Sequence, residues 1–446
     1  MAKQGTATKP KLSISDSWNL VEEKYHVLDH VRRDGCCRLT AAEIKTIREP
    51  RLMTKIDHAN DRPQLFKQNH LAILPETRGS YLIAPMELYE PFDEVLTNPK
   101  SSDIRHIAWE HDLQSLDINA VPSETIAINT AEIGGILTAF LGECPLYATV
   151  SGRMKSDIFS FHVNRVGGGT QDVHVQNSQI EIDAGFESPN SLILIEAKNF
   201  VYDDFLVRQL YYPMRTWQQR IEKPVRTVFF MYSNGIYHLI EYGFRDLQDY
   251  NSLHVIRHGH YSLDDTNIRI ADIYEAATQV RLHGEPKGVP FPQADKMWRI
   301  INLAEMLAEA PMTKAEIAER YSFTPRQAEY YSNAARYLGL VDSDGGRHLC
   351  ASKLMQRLMK KPYKLRQLEY VKLILRSQVF YDSFQKVHIT NTGTAVLPSL
   401  DDIIAIMRAY LFFGSGGMYQ RRSQSVRGWL EWIVHLCRDV GAIEKG

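Results

Sequence analysis

Three polar side chains at the ends of two apolar runs have the spacing that chemistry would need. Asp183 closes the run in Gln179-Ile-Glu-Ile-Asp-Ala-Gly185, and Glu196 and Lys198 close the run in Ser191-Leu-Ile-Leu-Ile-Glu-Ala-Lys-Asn199. Both runs are rich in β-branched residues and read as strands separated by a loop over 185–190. Successive side chains of a strand face opposite ways, so Glu196 and Lys198 emerge on the side of Leu192 and Leu194, while Ile193, Ile195 and Ala197 take the other. Glu181 and Asp183 likewise share a face of the first strand. Paired as a hairpin, the strands bring Asp183 to Glu196, with Lys198 adjacent. A charge pair closing an apolar strand is costly to bury unless it is paired or binds metal. Two carboxylates and an ammonium suit a hard divalent cation held through oxygen, and Mg2+ is the natural occupant. The chemistry would be hydrolysis at phosphorus. The cation would neutralise phosphorane-like charge and acidify the attacking water, and Lys198 would orient or activate that water.

The elements that must position these groups follow from periodicity. Residues 123–140 have helical spacing, and 146–150 and 157–163 read as strands, followed by the turn Val166-Gly-Gly-Gly-Thr170. A helix is expected over 204–222 and two more strands over 225–232 and 235–242. The last two are joined through Ser233-Asn234-Gly235, the strongest short hairpin signal. Alternating strands and helices make the middle of the chain mixed α/β.

Asp183, twelve intervening residues and then Glu196-Ala197-Lys198 resembles the PD-(D/E)XK nuclease superfamily, whose members include most type II restriction endonucleases. The motif covers about a twentieth of the chain, and the surrounding order of elements nearer a third. Ile182 stands where the superfamily's leading Pro would be, which leaves the metal-binding positions intact. The resemblance implies Asp183 and Glu196 as metal ligands and Lys198 as a catalytic residue. It also implies a helix after the second strand bearing Gln or a basic residue, here Arg208 or Gln209, with Gln209 counted as catalytic. A helix before the core often adds a carboxylate, and Glu132 has that placement; Glu181 reads instead as an edge-strand carboxylate.

Beyond the linker Gly284-Glu-Pro-Lys-Gly-Val-Pro-Phe-Pro292 the chain turns mainly helical. Helices over 295–310, 313–320 and 324–338 precede a hairpin over 340–350 broken at Asp344-Gly-Gly346, which is the order of a winged helix. Thr324, Arg326 and Gln327 open the third, recognition helix and are types that contact phosphates or base edges, with Tyr330, Ala334 and Leu338 packed inward. Arg347 sits on the wing. A related run of helices over 363–387, 401–410 and 423–437 makes this region a candidate tandem. There Arg421, Arg422 and Arg427 cluster at a helix N-terminus, which suits phosphate.

Composition agrees with a soluble DNA-directed protein. The chain has 446 residues, 44% hydrophobic and 24% charged, which excludes wholesale disorder and fibrous repeats. Its 52 Lys and Arg nearly balance 53 Asp and Glu, but residues 295–446 carry 22 against 15, a basic end on an acidic front. No apolar run approaches the roughly 20 residues of a membrane span. The first dozen residues are small and polar, read as disordered, and suggest neither signal peptide nor anchor. Five scattered cysteines, among them the adjacent pair Cys36 and Cys37, point to a reducing cytoplasm. Arg257-His258-Gly-His260 has no thiol or carboxylate at metal spacing and reads as core or surface.

The expectation is therefore a small α+β module over 1–100 of unassigned role, an α/β restriction-endonuclease-like core over 101–284, and a winged-helix DNA-binding region over 293–446. In function this would be a sequence-specific, Mg2+-dependent endonuclease acting on double-stranded DNA as a homodimer, paired with a cognate DNA methyltransferase. Two rivals are a repair or transposon end-cleaving nuclease on the same core, and a winged-helix transcriptional regulator without nuclease activity.

Overall fold

The computed structural model describes residues 12–445 apart from 322 and 415; the expectation of a disordered N-terminal tail falls, but for Leu12, outside the described residues. The chain is mixed α/β. Its centre is a seven-stranded sheet of β1 (Ile104–His106), β2 (Tyr147–Lys155), β3 (Gln179–Glu187), β4 (Leu192–Lys198), β5 (Val225–Ser233), β6 (Ile236–Phe244) and β7 (Leu253–Ser262), in the spatial order β1-β7-β6-β5-β4-β3-β2. Neighbours are antiparallel except β4 with β5 and β7 with β1.

Two apolar faces hold β4 in place. Ile193, Ile195 and Ala197 join Leu137 and Phe140 in a core beneath α1 (Glu124–Ile133) and α2 (Ile136–Leu141). On the other face Leu192 and Leu194 meet Ile182 and Trp217, the latter from α3 (Arg208–Gln218), the crossover that a parallel β4–β5 pair requires. The single helix expected over 123–140 is two, because Gly135 adopts a left-handed φ of 76°. The helix expected over 204–222 is shorter, since Asp204–Leu206 is a strand paired with Tyr89–Pro91. Thr170–Val175, absent from the sequence reading, pairs with Phe159–Asn164 as a separate ribbon. The β5–β6 hairpin turns at Asn234 and Gly235 with φ of 52° and 78°, which explains Gly at that position.

In the front region His26, whose φ is 48°, separates the helices Ile14–Tyr25 and Val27–Asp34. Thr40 and Glu43 form a capping box at the start of the short helix Ala41–Lys45. A three-stranded sheet of Cys37–Thr40, Ser80–Ala84 and Ala72–Pro75 covers a core around Trp18 and Phe66.

After the linker come α4 (Met297–Glu309), α5 (Lys314–Arg320) and α6 (Pro325–Tyr337). The hairpin Val341–Ser343 with His348–Ala351 follows, and Met312–Thr313 adds a third strand. Three helices and a hairpin thus occur in the expected order. The buried face of α6 carries Ala328, Tyr331, Ala334 and Ala335, whereas Tyr330, expected inside, is only half-buried. The run expected as one helix over 363–387 divides into Tyr363–Leu375 and Gln378–Gln385, and α7 (Gly416–His435) is longer than expected. Trp429, Phe380 and Tyr337 share one core, so the C-terminal region packs as a unit. It docks on the β5–β6 hairpin through Glu305, whose carboxylate accepts the Ser233 hydroxyl at 2.7 Å and the Asn234 amide at 3.0 Å.

Candidate functional site

The ladder between β3 and β4 ends with Ile195 opposite Ala184. One step further the strands part, and a side chain replaces the missing backbone acceptor: Asp183 Oδ2 accepts the Ala197 amide at 2.8 Å. On the same stretch Glu196 is buried, 8% exposed, and its Oε1 accepts both the Lys198 ammonium at 2.5 Å and the Gln209 amide at 2.6 Å. Gln209 comes from the first turn of α3, so crossover helix and strand meet at one carboxylate oxygen. Among the described residues, neither Asp183 Oδ1 nor Glu196 Oε2 takes a hydrogen bond, and Gln209 Oε1 is buried without a partner.

Burial pushes the Glu196 carboxyl up to about 7; Lys198 pulls against this and Asp183 adds to it. For Lys198, burial works against the ammonium, but Glu196, Asp183 and Asp57 outweigh it and hold its pKa above the ordinary lysine value. The ammonium therefore persists at neutral pH, and the unfavourable element is the buried negative charge of Glu196, made worse by Asp183 beside it. A divalent cation would remove that cost. Among the described residues no three or more His, Cys, Asp or Glu side chains form a metal cage. The two free carboxylate oxygens would suit Mg2+, which takes one or two carboxylates and completes its shell with water and substrate phosphate.

These groups line a cleft of ≈ 790 Å³ whose walls come from three stretches of chain. The front region supplies Arg51, Lys55, Asp57, His58 and Arg78, the sheet and its helices supply Glu124, Arg153 and Arg208, and α5 supplies Arg320. The lining is mixed in charge: beside Lys198, the cations Arg51, Lys55, Arg78, Arg153, Arg208 and Arg320 stand among the carboxylates of Asp57, Asp61, Glu124, Glu181, Asp183 and Glu196, and Lys55 and Arg153 are paired with Asp57 and Glu181.

Sequence reasoning placed some of these residues and missed others. Asp183, Glu196, Lys198 and Gln209 come together. Glu132 does not: it lies at the far end of α1, roughly 12 Å along the axis from Glu124, and Glu124 is the carboxylate that reaches the cleft. Burial raises the Glu124 pKa, with Lys198 opposing and Asp183 adding. Its position directly after the Ser123 N-cap reads in sequence as ordinary first-turn acidity, which hid it. Glu181 lines the cleft but is exposed and paired with Arg153 at 3.1 Å; its strand is interior to the sheet, not an edge. Asp57, His58 and Arg320 had no local signal, because they arrive from over a hundred residues away.

The residues expected to bind DNA are dispersed. Thr324 and Gln327 cap α6 reciprocally, Thr324 Oγ1 accepting the Gln327 amide at 3.2 Å and Gln327 Oε1 the Thr324 amide at 2.9 Å. Arg326 is exposed and donates from Nε to the Tyr330 hydroxyl at 2.5 Å, and Arg347 is exposed at the hairpin turn. Arg421, Arg422 and Arg427 do not cluster at a helix N-terminus, because α7 already begins at Gly416. Arg421 is exposed, and Arg427 lines a separate cleft of ≈ 650 Å³. Arg422 is buried, 7% exposed, with its guanidinium 4.3 Å from the Phe413 ring centroid, so it faces the core rather than a phosphate.

Three family models match successive stretches of the chain: Domain of unknown function (DUF6996) over residues 15–83, Domain of unknown function (DUF6997) over 84–262, and Domain of unknown function (DUF7226) over 299–438. No curated protein and no solved structure matches it. Among the described residues no helix is long and apolar enough to cross a membrane. Asp183, Glu196, Lys198 and Gln209 fall in the second matched stretch, while His58 and Arg320 fall in the first and third, so the cleft draws on all three.

Proposed function

We propose that the chain is a Mg2+-dependent endonuclease that hydrolyses phosphodiester bonds of double-stranded DNA at specific sequences, in the manner of type II restriction enzymes. One observation carries this reading: Asp183, Glu196, Lys198 and Gln209 meet where two antiparallel strands part, inside a cleft whose lining also carries six further Arg and Lys side chains. The flanking helices support it, since α3 follows β4 and brings Gln209, and α1 precedes the strands and brings Glu124. These features fit the PD-(D/E)XK resemblance, with Ile182 as the departure.

Asp183 and Glu196 would hold Mg2+, which when bound supplies charge neutralisation at phosphorus and favours ionisation of the attacking water. Gln209 fixes the rotamer of Glu196, and the Ala197 amide fixes Asp183. Lys198 opposes the protonation that burial favours at Glu196, orients the water and counters charge growing on the phosphate oxygens. In the C-terminal region, α6 and the hairpin turn act as a winged helix that reads DNA through Arg326 and Arg347, with the basic excess of residues 295–446 giving non-specific affinity. Cutting both strands calls for two clefts, hence a homodimer, and a cognate DNA methyltransferase would protect cytoplasmic host DNA.

The test is digestion of a methylation-free plasmid in Mg2+ or EDTA, with the ends sequenced. Discrete fragments with one common end sequence, lost in EDTA and in Asp183→Ala and Lys198→Ala proteins that still bind DNA, are expected. Cleavage confined to damaged or structured ends would replace this reading with a repair or transposon-type nuclease. Tight DNA binding with no cleavage would leave the regulator.

A further inference from the structure

We propose that His58, oriented by Asp204, is a further catalytic residue of this cleft and gives a proton to the leaving deoxyribose oxygen; this rests on the nuclease reading above. His58 belongs to the front region, yet it is clamped by the segment that continues from β4. Its Nδ1 lies 2.7 Å from the Asp204 carbonyl oxygen and 3.1 Å from Asp204 Oδ1. Both are acceptors, so Nδ1 carries a hydrogen. The Ala59 amide donates to the same carboxylate at 3.1 Å. The ring stacks on Tyr202, centroids 4.2 Å apart and planes 13° apart, only four residues beyond Lys198. Contacts in the ring plane and on its face thus fix the imidazole. It is 6% exposed, lines the cleft that holds Glu196 and Lys198, and its Nε2 takes no hydrogen bond among the described residues.

The charged groups around His58 favour an imidazolium. Burial opposes the charge, but Asp204 and the nearby Asp61 outweigh it and raise the His58 pKa. Asp57, next in sequence, acts on both Glu196 and Lys198, and the Arg320 charge acts on the Tyr202 hydroxyl. In the step proposed, a water oxygen bonds to phosphorus and the bond from phosphorus to the leaving oxygen breaks. That oxygen keeps the electron pair and takes the Nε2 proton. The water's proton passes to solvent, and His58 is recharged from solvent.

A tether holding the front region to the sheet would need only the Nδ1 contact, and the test separates the two roles. His58→Asn keeps a donor for Asp204 but has no proton at the Nε2 position. On an ordinary duplex it should cut about 10²–10⁴-fold more slowly than wild type. On a duplex with sulfur bridging at the leaving position it should cut at close to the wild-type rate, because a thiolate leaves without protonation. Asp204→Asn retains His58 and should shift the alkaline limb of the pH–rate profile downward. Equal slowing on both substrates, an unaltered rate on the ordinary duplex, or an alkaline limb unmoved in Asp204→Asn overturns the role of His58. If wild type cuts and Asp183→Ala does not, any of those results leaves the nuclease reading standing. If wild type fails to cut either substrate, that reading falls and this one with it.

Discussion

Gln209 donates to Glu196 Oε1 at 2.6 Å, the same oxygen that receives the Lys198 ammonium at 2.5 Å. With one carboxylate oxygen doubly occupied, the other is left to face the cleft. Gln209 is therefore a positioning residue, and Gln209→Ala should lower the cleavage rate about 10–100-fold while raising the Mg2+ concentration needed for half-maximal rate. DNA affinity in EDTA should not change. A rate loss with an unmoved Mg2+ dependence would contradict the positioning role.

His238 and His260 form a buried pair at 3.0 Å between their Nδ1 atoms, on β6 and β7. The second nitrogen of His260 donates to the Val95 carbonyl at 3.2 Å, so its Nδ1 accepts from His238 and both rings are neutral. Burial, with the neighbouring ring adding, holds His238 well below the usual 6.5, and burial with His258 lowers His260 to about 4. The unfolded chain takes up these protons as pH falls below about 6.5 whereas the fold resists until about 4, so stability is full above that window and declines through it. Roughly 2 kcal/mol per ring should be lost by pH 5. Tm measured from pH 8 to 5 checks this, and His238→Gln should flatten the curve.

Glu305 carries the junction between the C-terminal region and the β5–β6 hairpin. Removing its carboxylate leaves the Ser233 hydroxyl and the Asn234 amide without their acceptor. Glu305→Ala should cost about 2–4 kcal/mol and expose residues 293–446 to protease, whereas Glu305→Gln, which keeps an acceptor, should cost roughly 1 kcal/mol. Denaturant midpoints and digestion patterns provide the comparison.

Arg422 and the exposed arginines should behave in opposite ways. Arg422 Nε and Nη1 are buried without partners, and burial lowers its pKa. Arg422→Met should raise stability by roughly 1–2 kcal/mol and leave DNA affinity unchanged. Arg326→Ala and Arg347→Ala should weaken DNA binding and each reduce the salt slope by about 1. Equal affinity losses for all three would contradict the assignment.

What the sequence made legible is what short-range geometry dictates. Period-2 alternation put Glu196 and Lys198 on one face, and Asn234-Gly235 marked a hairpin whatever its surroundings. What it hid depends on distant partners. The start of α3 is set by Tyr89–Pro91, which claims Asp204–Leu206 as a strand. Glu124 rather than Glu132 reaches the cleft because of how α1 lies against the strand ends, which helical periodicity leaves open. Arg422 read as a surface cation because Gly416-Gly417 looks like a stop, yet the helix runs through from Gly416 and turns that arginine onto Phe413.

The cleft lining begins at Arg51 and closes with Arg320, so translation delivers the carboxylates well before the last cation of the rim. Until α5 has left the ribosome and docked, the cleft lacks Arg320, one of the cations that face its carboxylates. A chain that stops short of α5 therefore carries the carboxylates without their most distant counter-charge.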